Sequence, residues 1–124
     1  MSGQSNFLDS YCYGPADILR VCPGDSSLWL NLIDSTGHQG WAVYQGCIYR
    51  QVSRRQAGMH LSMVRRVEPW ELQMPCILDS LRRNTDHVQH LLKTWRQQGY
   101  SFFLHISSRP DSDFLVVARS LQIK

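Results

Sequence analysis

PCILDSLRRNTDHVQHLLKTWRQQG, residues 75–99, is the one stretch long and periodic enough to read as an extended helix, and its reading decides the fold class. Ile77, Leu78, Leu81, Val88, Leu91, Leu92 and Trp95 recur at helical spacing, which gathers them into a single apolar stripe. Pro75 suits the first helical position, where no backbone N–H is needed, and Gly99 suits the left-handed residue after the last turn. At about 1.5 Å per residue such a helix spans roughly 36 Å, the width of a small domain. Asn84 interrupts the seam, either to set register in a helix pair or because the helix surfaces there.

The segments on either side read mostly as strands that cover this helix. Phe7, Leu8, Tyr11 and Cys12 form a short helical pattern, broken at Gly14-Pro15 and resumed by Ala16, Ile18, Leu19 and Val21 up to Pro23-Gly24. Leu28, Trp29, Leu30, Leu32 and Ile33 then make a strand closed by Asp34-Ser35-Thr36-Gly37. A second strand covers residues 41–44, Gln45-Gly46 reads as a tight turn, and residues 47–52 return as a third, giving a meander. Residues 57–67 fit either period: Met59, Leu61 and Met63 alternate, while Ala57, Leu61, Val64 and Val67 mark a helical face. Trp70, Leu72 and Met74 read as a short strand, and residues 100–106 and 114–121 as a closing hairpin. The fold class is α+β: an antiparallel sheet, made of an N-terminal three-strand meander plus a C-terminal hairpin, packed on one long helix as a single domain over residues 1–124.

Composition bounds the function. The chain is 43% hydrophobic and 19% charged, which is the balance of a folded globular protein. Its net charge of +3 comes from eleven arginines against two lysines, and arginine suits bidentate carboxylate or phosphate contacts and stacking. MSGQSN lacks the pattern of a secretory leader, no window approaches a membrane span, and Cys12, Cys22, Cys47 and Cys76 are irregularly spaced. The expectation is a cytoplasmic protein with free thiols and no membrane partner.

Motifs of catalysis are scarce. There is no phosphate loop, no dinucleotide fingerprint, no nucleophile elbow and no C-x-x-C pair, which argues against the common enzyme classes; no catalytic residue or cofactor is assigned, and a small enzyme with no recognisable motif ranks third, after a protein-binding and a nucleic-acid-binding domain. Asp86, His87 and His90 lie close together on the helix, but a metal site needs three or four converging ligands, and no metal is assigned. Cys47 or Cys76 with a histidine would make a nucleophilic pair, against the plainer reading of packed thiols. Arg54-Arg55, Arg65-Arg66 and Arg82-Arg83, with Tyr49 and Trp70 available to stack, are the argument for nucleic acid. Neighbouring arginines diverge on a strand or helix, so that reading ranks second to a protein partner or homodimer.

The partner-binding residues follow from strand parity. Trp29 is out of phase with Leu28, Leu30 and Leu32, so on a regular strand it points away from them. Tyr44 and Tyr49 are placed beside it, with Arg54 and Arg55 nearby, because aromatic residues and arginine are the types enriched at binding hot spots. The competing reading is a sheet covered on both faces.

Two family resemblances bear on this. SLWLNLIDSTGHQGWAVYQGCIYRQV resembles the PATAN domain, which pairs a strand of the form G-x-L-x-[LV] with a hairpin of the form F-x-x-G-x-[IL]-x-x-A. Leu28, Leu30 and Leu32 hold the strand, and Val43, Gly46, Ile48 and Gln51 the four hairpin positions, Val43 replacing an aromatic residue and Gln51 a small one. ADILRV resembles the family's leading helix, and QAGMHLSMVRRVEPWELQM its following helix and short strand. The resemblance implies a noncatalytic bacterial signalling or adaptor module. The order helix, three strands, long helix, two strands is also similar to small type III secretion chaperones, which act by binding protein, although those are usually acidic.

Overall fold

Alternation of side chains across strands, more than the helical stripe, organises the chain. The computed structural model describes residues 12–52, 54–72, 85–109 and 112–124. Among these residues nine strands form one antiparallel sheet: β1 (Cys12–Tyr13), β2 (Ala16–Pro23), β3 (Ser27–Ile33), β4 (Gln39–Gln45), β5 (Tyr49–Arg50), β6 (His60–Val67), β7 (Ser101–Ser107), β8 (Phe114–Ala118) and β9 (Ser120–Ile123). Among the described residues there is one α-helix, α1 (Thr85–Gln97), and no helix long and apolar enough to cross a membrane.

The order of neighbours is β5-β8-β7-β6-β2-β3-β4-β9, and its two ends belong together. β4 continues into β5 past Gly46, and β8 into β9 past Arg119, while β4 pairs with β9 and β5 with β8. β1 and β2 likewise both pair with β6. The sheet therefore curls into a closed barrel of six staves, two meanders joined edge to edge. Its interior holds Ile18, Leu28, Leu30, Leu32, Tyr44 and Phe103. Outside, α1 covers one half: Val88, Leu92 and Trp95 pack with Phe102, Leu115 and Val117.

Several expectations need correction. Residues 16–21 are strand, not helix. The register shifts between Ile18 and Arg20, so Ala16, Ile18 and Val21 all face inward, and that bulged spacing imitates a helical one. Residues 47–52 do not fold back on β4, because the chain at Gly46 (φ 65°) only bends and β5 goes on to pair with β8. Residues 60–67 resolve the open segment as strand. Pro69–Glu71 is a 3-10 turn in place of a strand, with the Glu68 backbone N–H donating to the Glu71 carboxylate at 2.7 Å.

Of residues 75–99, the structure describes 85–99. The described part of the helix is Thr85–Gln97, and Ile77, Leu78, Leu81 and Asn84 lie outside the described residues. Its end is as anticipated: Gly99 has φ 93°, and the Tyr100 and Gly99 N–H groups donate to Trp95 and Arg96 carbonyls, a Schellman cap. Leu91 is only half-buried, while Leu92 is 2% exposed. Leu92→Ala should therefore cost about 2 to 5 kcal/mol in urea unfolding, and Leu91→Ala about 1 kcal/mol. Equal losses would place both leucines in the same environment and contradict this packing.

Candidate functional site

The half of the barrel that α1 leaves uncovered is the outer face of β2, β3, β4 and β9. Register fixes what it displays: Cys22, Trp29, Val43 and Gln122 form one cross-strand row, and Arg20, Asn31 and Trp41 the next. Trp41 exchanges both backbone hydrogen bonds with Lys124, at 2.9 and 3.0 Å, which adds that lysine to the second row. Trp29 and Trp41 are thus diagonal neighbours, and their rings meet edge to face, 5.9 Å apart at 73°.

Both tryptophans are half-buried, and Val43 beside Trp29 is fully buried although it lies on this outer face. Asn31 is also buried and donates its amide to the Gly40 carbonyl at 3.2 Å. Two cations complete the surface. The Arg20 guanidinium lies 5.8 Å from the Trp41 ring, and the Lys124 ammonium 5.4 Å from the Trp29 ring.

Of the residues assigned from sequence, Trp29 points outward on this face. Tyr44 does not: it pairs in register with Leu28 and Leu121 and lies wholly inside the barrel. Tyr49 stacks on Trp95 beneath α1 (5.9 Å, 27°), and among the described residues its buried hydroxyl has no hydrogen-bond partner. Arg54 and Arg55 begin the 3-10 turn Arg54–Gln56; Arg55 is exposed, and the Arg54 side chain lies outside the described residues. Sequence reasoning missed Trp41, Arg20 and Lys124. Parity within β4 did not reveal Trp41, because reading Tyr44 as outward puts Trp41, three residues away and out of phase with it, on the inner face; only the pairing with β3 settles the direction.

Inside the barrel lies a second polar constellation. His105 donates Nδ1–H to the Phe103 carbonyl at 3.0 Å, because a carbonyl only accepts, which leaves Nε2 of the neutral ring as an acceptor. The Tyr44 hydroxyl then donates to Nε2 (2.7 Å), and Tyr13 donates to the Tyr44 oxygen (2.6 Å). Desolvation holds His105 down to about 3 and raises both tyrosines. Perturbed groups often mark active sites. Here all three are fully or almost fully buried with their polar atoms paired to one another, which is what a structural network requires.

The remaining candidates separate. Burial pushes Cys47 up to about 11, and its thiol donates to the Tyr44 carbonyl, so it is held protonated. Cys76 and the Arg82-Arg83 pair lie outside the described residues. Asp86, His87 and His90 are exposed along α1, and among the described residues no three metal-ligating side chains converge. Arg65 is half-buried at 3.5 Å from Glu71, whereas Arg66 is exposed, so this pair diverges.

The polar chain makes two predictions. Its histidine stays neutral when folded, while the unfolded chain takes up a proton below about 6.5. Stability is therefore complete above that pH and falls as pH drops from 6.5 toward 3, by about 2 kcal/mol at pH 5. Urea titrations at pH 7 and 5 measure this, and equal midpoints would mean that His105 is accessible to protons in the folded state. Tyr44→Phe, which strands the Tyr13 hydroxyl and His105 Nε2, should cost about 2 to 4 kcal/mol, while Tyr49→Phe removes an unpaired hydroxyl and should be neutral or stabilising by about 1 kcal/mol.

No protein-family model, curated protein or solved structure matches this chain.

Proposed function

We propose that this domain is a noncatalytic protein-binding module that docks a protein partner, or a second copy of itself, on the outer face of β2, β3, β4 and β9. The observation that carries this is the Trp29–Trp41 pair, held edge to face on that surface and flanked by Arg20 and Lys124. Tryptophan and arginine are the side chains most enriched at binding hot spots, and a ring of polar residues is the usual rim. Gln45 and Gln122, both exposed, provide part of one. Closure of the barrel bears on the mode of binding. Its staves are paired on both sides, so a partner meets side chains here and does not extend the sheet.

Aromatic residues among cations also bind single-stranded nucleic acid, by stacking bases on open ring faces. Trp29 and Trp41 instead carry Lys124 and Arg20 over their rings, and this favours the protein reading. A bacterial signalling or secretion context rests on the family resemblances alone, and the leading helix that they imply at residues 16–21 is strand.

Trp29→Ala and Lys124→Glu test the surface, each first shown to melt cooperatively. A captured partner, or self-association seen by sedimentation, should weaken by about 2 kcal/mol with Trp29→Ala, roughly thirtyfold, and less with Lys124→Glu. Unchanged affinity in both variants removes this face from the account. Binding to mixed RNA that falls steeply with log salt transfers it to nucleic acid.

A further inference from the structure

We infer that the concavity between the Pro69–Glu71 turn and α1 is a binding site for a small amphipathic carboxylate, independent of the Trp29 face. Its volume is about 420 Å³, within the range of roughly 300 to 1,000 Å³ typical of small-molecule sites. Leu72 and Leu92, both buried, give it an apolar floor, and Pro69 and Trp70 one wall. Gln89, Leu92, Lys93 and Arg96 recur at helical spacing, so α1 presents them together as the other wall.

Trp70 is the main reason to read this concavity as a site. It is 74% exposed, more than any other large hydrophobic residue among those described, yet it is held in place. The Arg96 guanidinium lies 5.4 Å from its ring, the Glu68 carboxylate accepts from Arg96 Nε, and the Glu68–Glu71 bond fixes the turn beneath. An aromatic wall kept open in this way exposes apolar area that a ligand's body can cover.

Charge selects the head group. Among the described residues, the ionic side chains lining the concavity are Lys93 and Arg96, both cationic. Arg96 is already engaged by Glu68, whereas none of the ion pairs among the described residues uses Lys93. A carboxylate near Lys93, with its chain laid along Leu92, Leu72 and Trp70, satisfies both features of the lining.

The test titrates the full chain with sodium decanoate below its micellar range and follows the ¹H–¹⁵N spectrum, with decylammonium and decan-1-ol as charge controls. Saturable shifts should centre on the Trp70 indole and the Leu92 and Lys93 amides, and decanoate should bind best of the three. Lys93→Glu should weaken decanoate by about fivefold, the size of one partly exposed charge pair, and leave decan-1-ol unchanged. Trp70→Ala, an exposed change with little cost to folding, should weaken all three. Absent or scattered shifts, equal binding by decylammonium, or indifference to both substitutions would overturn the assignment. None of these outcomes bears on the Trp29 face, which shares no residue with the concavity.

Discussion

The crossing of Gly46 and Arg119 is the constraint on which the rest depends. A closed barrel needs its strands to coil, and here the two staves at the seam bend where these residues meet. The Arg119 N–H donates to the Gln45 and Gly46 carbonyls (2.9 and 3.3 Å), which carries the ladder across both bends. A Cβ on Gly46 would sit 3.1 Å from both Cβ and Cγ of Arg119, and its φ of 65° already favours glycine. The Arg119 guanidinium then reaches the end of α1, donating to the Gln98 carbonyl at 3.0 Å and lying 4.3 Å from the Tyr100 ring. One residue thus joins the seam to the helix terminus. Past it, β9 runs beside β4, and that pairing is what brings Lys124 over Trp29.

Closure also sorts the chain into inside and outside, and this sorting decides which chemistry is available to a partner. Tyr13, Tyr44 and His105 are polar residues committed to the interior, where each satisfies another and fixes a single arrangement of the staves that carry them. Tyr44 links β4 in the first meander to His105 in the second, so this bond spans the barrel's interior as Arg119 spans its seam.

Legibility in the sequence followed regularity. β3 and β7 are apolar runs bounded by turn residues, so their extents were legible, and the inward face of β3 was plain from Leu28, Leu30 and Leu32; in β7 Phe102 faces α1 and Phe103 the interior, a choice that the run itself does not display. β2 was misread because one bulge at Ile18 to Arg20 turns a period of two into an apparent period near three. Tyr44 was misplaced for a different reason: its face depends on pairing with Leu28, and register is a property of two strands that neither displays alone. The α+β class and Trp29's outward direction were local and could be read. Closure was not, because it rests on β4–β9 and β5–β8 pairings between segments more than sixty residues apart, which no local pattern records.

The barrel's two halves solve the same problem by different means. A sheet face left bare to water is unfavourable, and β5, β7 and β8 are covered by α1 through Val88, Leu92 and Trp95. On β3 and β4 the cover consists of amphipathic side chains: each tryptophan lays an apolar ring along the sheet, and Arg20 and Lys124 lie over those rings. Such cover shields Val43 and Asn31 without a second helix, but it is only one side chain thick and leaves the tryptophans half exposed. Water over those rings and cations is therefore still available to be displaced. A helix-covered face has already lost that water in folding, so the gain from a docking partner is concentrated on the half that covers itself.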